Sequence, residues 1–208
     1  MDGTIIDSAP AILSGLQKSV FKRKYRLIQP LTTSLIGPPL QQTFQALTGE
    51  SNTEKLDILM TDFKEYYDNY GIGSTKAYPG IIETLKQLKA DNFKLMIATN
   101  KRLIPTLKII QFLKLTSFFS EIYSIDKDPE DLFNSKFEML RSLISKSKLI
   151  ASNSFYVGDR FEDQEASQSN GLNSITVSWG YGDYRELSQY SKIVHSPLEL
   201  RSILKIPS

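Results

Sequence analysis

The sequence has 208 residues and contains no cysteine. It can therefore form neither a disulfide framework nor a thiolate metal site, and a cysteine nucleophile is excluded. The absence of cysteine is compatible with a cytoplasmic protein, which is the localisation we expect. The single histidine, His195, follows a short apolar run near the last predicted helix, and we interpret it as a structural or surface residue.

Long apolar runs and a strong charge bias are absent as well. No apolar stretch approaches the roughly 20 residues that a helix needs to span a bilayer. The first residues do not have the pattern of a secretory signal peptide. The formal net charge of +2 produces no general attraction to nucleic acids or anionic membranes. We therefore expect neither a nucleic acid nor a membrane as a partner, while the oligomeric state stays open.

The apolar residues that are present follow two different patterns. From about residue 9 to residue 76 they recur at helical spacing, with a break at Gly37-Pro38-Pro39. After Tyr78-Pro79-Gly80, helical stretches alternate with short apolar runs that we predict to be buried strands. Those runs are residues 94–98, 121–125, 154–157 and 174–177.

Alternation of helix and strand predicts an α/β fold with a doubly wound, Rossmann-like parallel sheet. A chain of this length can hold one such core and one small accessory domain. We assign residues 1–12 and 78–208 to the α/β core. Residues 13–77 are assigned to a small helical domain that is inserted into it.

Polar residues follow two of the predicted strands. Thr99 and Asn100 come directly after the strand at 94–98, and Asp159 follows a second strand, with Asp163 on the helix after it. In open parallel sheets, ligands bind beyond the carboxyl ends of the strands. We therefore expect these side chains to lie at one edge of the sheet.

Two further charged residues belong to the same predicted site. Ser135-Lys136-Phe137-Glu138 is a capping-box pattern, which places Lys136 at the start of a helix. Asp2 precedes Gly3-Thr4 near the amino end of the sequence. Carboxylate oxygens are ligands that Mg²⁺ prefers, and hydroxyl, ammonium and backbone N–H groups bind phosphate oxygens. The set therefore predicts a site for Mg²⁺ and a phosphate monoester.

Each of these residues also has an ordinary structural interpretation. Thr99-Asn100 can be a turn that caps a helix, and Lys136 alone can be a solvated surface lysine. Asp163 can complement the dipole at a helix amino end. Singly, these interpretations are favoured. The joint occurrence of the residues after successive strands favours a ligand site.

Together, these residues resemble the four signatures of the haloacid-dehalogenase-like (HAD) phosphohydrolases. The matches to the signatures are, in order, Asp2-Gly3-Thr4, Thr99, Lys136, and Gly158-Asp159 with Asp163. Lys127 is a competing candidate for the third signature, although Lys136 has the better helix context. Gly37-Pro38-Pro39-Leu40, Tyr78-Pro79-Gly80 and the segment from Val177 to Gly182 resemble the phosphoglycolate-phosphatase-like branch, whose helical cap resembles the inserted domain here.

The resemblance implies a two-step phosphoryl transfer that forms an aspartyl phosphate on a nucleophilic Asp. Asp2 would act as general acid and then as general base. Mg²⁺ would be held by the nucleophile, by the backbone carbonyl of Asp2 and by Asp159, with Asp163 supporting the site. Thr99, Lys136 and the neighbouring Asn100 would bind the phosphoryl group of a small phosphorylated metabolite.

The nucleophile of the first signature is not in this sequence. In the resemblance it stands one residue before Met1, at the end of an apolar strand in the middle of the sheet. We therefore expect the natural protein to begin upstream of Met1. We also expect the 208-residue chain to lack phosphatase activity, and its sheet to contain a gap or a substitute strand beside residues 154–157.

Other functions remain open at this point. The chain can be a HAD-like scaffold without catalytic activity that binds a ligand or a partner, or a relative of the phosphoglucomutases. A dehalogenase is disfavoured because that chemistry does without the metal-site acids, which are present here as Asp2, Asp159 and Asp163.

Overall fold

The structure is a computed structural model that describes residues 1–126, 133–183 and 192–204. The chain divides into two compact units. One consists of Met1–Asp7 with Lys76–Ser208, and the other is Ser8–Thr75. The sequence analysis assigns residues 13–77 to the helical insert, and both that assignment and the role of the insert as a cap stay predictions.

The unit Ser8–Thr75 is helical, as the apolar spacing predicts. Its three α-helices are α1 (Ala9–Lys22), α2 (Leu40–Thr48) and α3 (Thr53–Tyr66), and a π-helical turn, Tyr67–Gly71, continues α3. The Asn52 side chain caps α3 by accepting a hydrogen bond from the Lys55 N–H at 3.0 Å. The buried core of this unit consists of Leu16, Val20, Phe44, Leu47, Leu56 and Leu59.

The other unit alternates helices and parallel strands, which confirms the predicted α/β class. A short antiparallel ladder joins β1 (Ile6–Asp7) to β2 (Lys76–Ala77). The helices are α4 (Ile81–Ala90), α5 (Leu103–Phe112), α6 (Lys136–Lys146), α7 (Phe161–Ser169) and α8 (Glu199–Leu204). The remaining strands are β3 (Met96–Thr99), β4 (Glu121–Ser124), β5 (Phe155–Gly158), β6 (Asn173–Val177) and β7 (Lys192–Val194).

The parallel strands form two separate sheets. β3 pairs with β4, and β5, β6 and β7 pair in that order, while no ladder joins β3 to β5 within the described residues. Leu95 and Trp179 pack against apolar clusters of both sheets. The Tyr156 hydroxyl also donates to the Ala98 carbonyl at 3.4 Å, from β5 to β3. The break therefore lies beside residues 154–157, where the sequence predicts a gap.

No helix among the described residues is long and apolar enough to cross a membrane. Among the residues that the structure describes, β7 is the one parallel strand that the sequence analysis does not predict. It has just three residues, and so short a run carries little periodic signal.

The predicted cap of α6 is present, because the Ser135 hydroxyl accepts a hydrogen bond from the Glu138 N–H at 3.2 Å. We expect Ser135→Ala to lower the free energy of unfolding by about 1 kcal/mol, since one N–H at the amino end of the helix loses its acceptor. Ser145→Ala, at an exposed position of the same helix, is the matched control. Equal midpoints of urea unfolding for the two variants would contradict the capping role.

Candidate active site

The site is built around the turn between β5 and α7. Both backbone N–H groups at the start of this turn, of Asp159 and Arg160, donate to one oxygen of Asp163, Oδ2, at 3.0 and 3.1 Å. Asp163 is 4% exposed. Its carboxylate therefore holds the turn in shape, and the N–H groups compensate part of its buried charge.

Lys136 enters the same site from the first turn of α6. Its ammonium group forms an ion pair with Oδ1 of Asp163, and the Tyr156 hydroxyl donates to that oxygen at 3.3 Å. Burial, the largest single influence, acts to lower the pKa of Lys136, but the charge and hydrogen bond of Asp163 together with Tyr156 and Asp159 outweigh it, and the pKa is raised. For Asp163, burial acts to raise the pKa, and the charge of Lys136 holds it below its ordinary value. Both groups are therefore charged at neutral pH.

The Asp159 carboxylate lies against the turn at residues 2–4. It accepts hydrogen bonds from the Thr4 hydroxyl at 3.0 Å and from the Tyr181 N–H at 2.9 Å. Gly3 has φ +74°, and a Cβ atom on it would lie 2.2 Å from Oδ2 of Asp159. Only glycine permits both this conformation and this approach. Burial and the neighbouring charge of Asp163 raise the pKa of Asp159.

Asp2 and Thr99 lie at the ends of a short chain of contacts. Oδ1 of Asp2 accepts a hydrogen bond from the Lys101 ammonium group at 3.0 Å. The Thr99 hydroxyl, buried at the end of β3, accepts from the backbone N–H of Lys101 at 3.1 Å. Lys101 therefore links the two predicted site residues, and Asn100 beside them is exposed.

The α-amino group of Met1 lies within the electrostatic reach of Asp2, Asp163, Lys136 and Asp159. Burial lowers the pKa of this amino group, and the charge of Asp2 acts in the opposite direction. A residue joined to the amine of Met1 would begin inside this cluster of charged groups.

The structure thus brings Asp2, Lys136, Asp159 and Asp163 around the start of the chain, with Thr99 connected through Lys101. The competing lysine, Lys127, lies outside the described residues. Four contributors were not predicted as site residues: Thr4, Lys101, Tyr156 and Tyr181. Lys101 carried a usable signal, because it follows Thr99-Asn100 directly at a strand end.

The acids of the site fit Mg²⁺ only in part. Within the described ranges, no group of three or more His, Cys, Asp or Glu side chains is arranged to hold a metal. Asp163 uses both carboxylate oxygens in protein contacts, and Asp2 faces Lys101. Asp159 also accepts a hydrogen bond on each oxygen, but both donors, Thr4 and Tyr181, are neutral. It fits a cation best, because an ion beside it would relieve the burial and like charge that raise its pKa. The fit is therefore partial and depends on Asp159.

Comparisons with known proteins identify the family of this chain. The profile of the haloacid dehalogenase-like hydrolases matches residues 1–177. A phosphoglycolate phosphatase of Nitrosospira multiformis is 26% identical over 90% of this chain and 84% of its own length. The tyrosine-protein kinase PtkA of Mycobacterium tuberculosis is 26% identical over 99% of this chain and 71% of its own length.

Solved structures of other proteins have the same fold as this chain. The crystal structure of a predicted phosphatase from Clostridium acetobutylicum has a TM-score of 0.86 and 27% sequence identity, and the match covers 99% of this chain and 96% of that one. The family profile covers most of the chain. The chain therefore belongs to the haloacid dehalogenase-like hydrolases.

Proposed function

We propose that this site, once completed by an attacking carboxylate, is that of a Mg²⁺-dependent phosphatase for a small phosphomonoester. The observation that carries the proposal is the cluster formed by Asp159, Asp163 and Lys136 around the Met1 amine. An aspartate placed directly before Met1 would put its carboxylate into this cluster. The family and the phosphatase names of several relatives support the reaction class.

Each residue of the site would have a separate role in phosphoryl transfer. Lys136 and the Thr99 hydroxyl would hold the phosphoryl oxygens, with Asn100 at the exposed rim, and the ammonium charge would stabilise the charge that develops during transfer. Asp163 would keep Lys136 and the 159–160 turn in position through the contacts described above. Asp2 would give a proton to the leaving oxygen and later take one from water.

Asp159 and the backbone carbonyl of Asp2 would hold Mg²⁺. Bound there, the cation would neutralise phosphate charge and orient the phosphoryl group. In the structure Asp2 pairs with Lys101. To act as the general acid, Asp2 must release Lys101 during the reaction. The 3.0 Å contact between Asp2 and Lys101 therefore describes the site without substrate.

The substrate class is a small phosphorylated metabolite, and no particular compound is proposed. The relatives carry names as different as phosphoglycolate phosphatase, 5'-nucleotidase and tyrosine-protein kinase. A second candidate function is a ligand-binding scaffold. It is favoured by one observation, namely that Asp2, the proposed general acid, is paired with the Lys101 ammonium group in the structure.

The test of the metal site is Asp159→Asn. We expect this variant to bind Mg²⁺ about tenfold more weakly or worse in a calorimetric titration, because a hard cation loses an anionic ligand. Asp57→Asn, an exposed acid on α3, is the control and should leave the titration unchanged. An unaltered Mg²⁺ titration for Asp159→Asn would remove Asp159 from the site.

A further inference from the structure

The loop that follows β6, residues 179–182, makes hydrogen bonds both to the candidate active site and to the end of β1. The Trp179 indole N–H donates to the Thr4 carbonyl at 3.0 Å. The Tyr181 backbone N–H donates to Oδ2 of Asp159 at 2.9 Å, and the Tyr181 hydroxyl donates to Oδ1 of Asp7 at 2.9 Å. One residue, Tyr181, thus contacts both the proposed metal-binding carboxylate and the end of β1.

Two glycines in the loop permit its close approach to Asp159. A Cβ atom on Gly180 would lie 2.2 Å from the Cβ of Asp159, and one on Gly182 would lie 2.0 Å from the Asp159 carbonyl oxygen. Side chains at these two positions would push the loop away. The short distance between the Tyr181 N–H and Asp159 is therefore built into the loop by Gly180 and Gly182.

The other contact of Tyr181 is with the ladder between β1 and β2. Asp7 pairs with Lys76 in that ladder, and the Tyr78 N–H donates to the Ile5 carbonyl at 3.0 Å beside it. The Tyr78 ring packs edge-on against Trp179, with ring centroids 6.4 Å apart. The 179–182 loop therefore touches the ladder through both of its aromatic side chains.

The ladder is where the chain leaves this unit and returns to it. Asp7 is the last residue before the unit Ser8–Thr75, and Lys76 is the first residue after it. Asp7 and Lys76 are partners in the same ladder. A hydrogen bond to Asp7 therefore lies beside both points at which the chain crosses the boundary of this unit.

We propose that Tyr181 is a positioning residue, which ties the orientation of the Asp159 carboxylate to the ladder between β1 and β2. Its N–H fixes the carboxylate, and its hydroxyl fixes Asp7. A change in the ladder shifts Tyr181 and with it the N–H that holds Asp159. The role in metal binding rests on the proposed function of Asp159, whereas the mechanical link stands on the hydrogen bonds alone.

The test is Tyr181→Phe, which removes the hydroxyl and keeps the ring and the backbone N–H. We expect amide hydrogen exchange at Tyr181 and at Tyr78 to become about tenfold faster, the size of effect of one hydrogen bond to a charged acceptor. Mg²⁺ binding should weaken several-fold in the same variant. Adding Asp7→Ala to Tyr181→Phe should not accelerate exchange at Tyr181 further, because the bond between Tyr181 and Asp7 is already absent.

Tyr70→Phe is the matched control, since the Tyr70 side chain is 69% exposed in the other unit and loses a hydroxyl in the same way. Faster exchange at Tyr78 with unchanged exchange at Tyr181 would overturn the link, and so would additive effects of the two substitutions. If the unsubstituted chain binds no Mg²⁺, the proposed function fails, but the exchange measurements still decide the link between Tyr181 and the ladder.

Discussion

An apolar strand ending in Asp, added directly before Met1, should give the 208-residue chain Mg²⁺-dependent phosphatase activity on an aryl phosphate. The expected gain is on the order of 10³-fold or more, since removal of a covalent nucleophile from an enzyme costs at least that much in rate. The physical reason is the position of the Met1 amine within reach of Asp159, Asp163 and Lys136. A carboxylate attached there would enter the proposed phosphoryl site.

The added strand should also stabilise the fold. β3 and β5 belong to separate sheets, and Tyr156 makes a hydrogen bond across the break at 3.4 Å. A strand between them would pair with backbone groups on both sides and bury apolar side chains. We expect a clear rise in the midpoint of thermal unfolding when the extension is present.

The matched control is the same extension with Asn in place of the final Asp. It should stabilise the fold equally and leave the chain inactive, because an amide cannot attack phosphorus in this way. Comparing the Asp extension with the Asn extension therefore separates the stabilising effect of the added strand from the chemical effect of the nucleophile.

Two results would contradict the proposed function. Comparable turnover by the 208-residue chain would show that the attacking group lies elsewhere and that the role given to Asp2 is wrong. Inactivity of the Asp extension on a broad panel of phosphomonoesters would favour the ligand-binding scaffold.

The elements that sequence reasoning predicted are those set by local patterns. The strand ending at Thr99 and the strand before Asp159 follow from short apolar runs and the turn residues behind them. The start of α6 follows from Ser135 and Glu138, only three residues apart. The break between β3 and β5 was expected from the resemblance to the family, in which a further strand lies in the middle of the sheet.

The contacts that sequence reasoning missed join distant positions or depend on strand register. Lys101 and Asp2 are separated by 99 residues, and Tyr181 and Asp7 by 174. No local pattern encodes such pairs. Tyr156 and Asp163 are close in sequence, but their contact requires the strand to direct Tyr156 toward α7 rather than to the opposite face. A run of apolar residues buried on both faces does not reveal that direction.

Lys136→Met should be strongly destabilising because it leaves the buried carboxylate of Asp163 without its cation. The Lys136 and Asp163 side chains are only 15% and 6% exposed, so solvent screens them weakly. Removing one partner of a buried ion pair typically costs about 3–5 kcal/mol. We expect a loss of this size in the free energy of unfolding, measured by urea denaturation at pH 7. Lys108→Met, at an exposed position of α5, is the control and should change it little.

The pH dependence of that loss identifies Asp163 as its cause. In the unsubstituted chain the pKa of Asp163 is held below its ordinary value, so its ionised form stabilises the fold, and this contribution is lost as the pH falls through the lowered pKa. Without Lys136, burial raises the pKa of Asp163 instead. Protonation then stabilises the variant, and the difference between the two proteins should shrink as the pH is lowered from about 7 to 5. Lys136→Met combined with Asp163→Asn should recover part of the stability and show a smaller change with pH, because the carboxyl group of residue 163 is gone and, of the two neighbouring acids, only Asp159 is left to titrate. A loss that stays constant across this range in Lys136→Met would mean that packing of the lysine side chain, rather than its charge, stabilises the site.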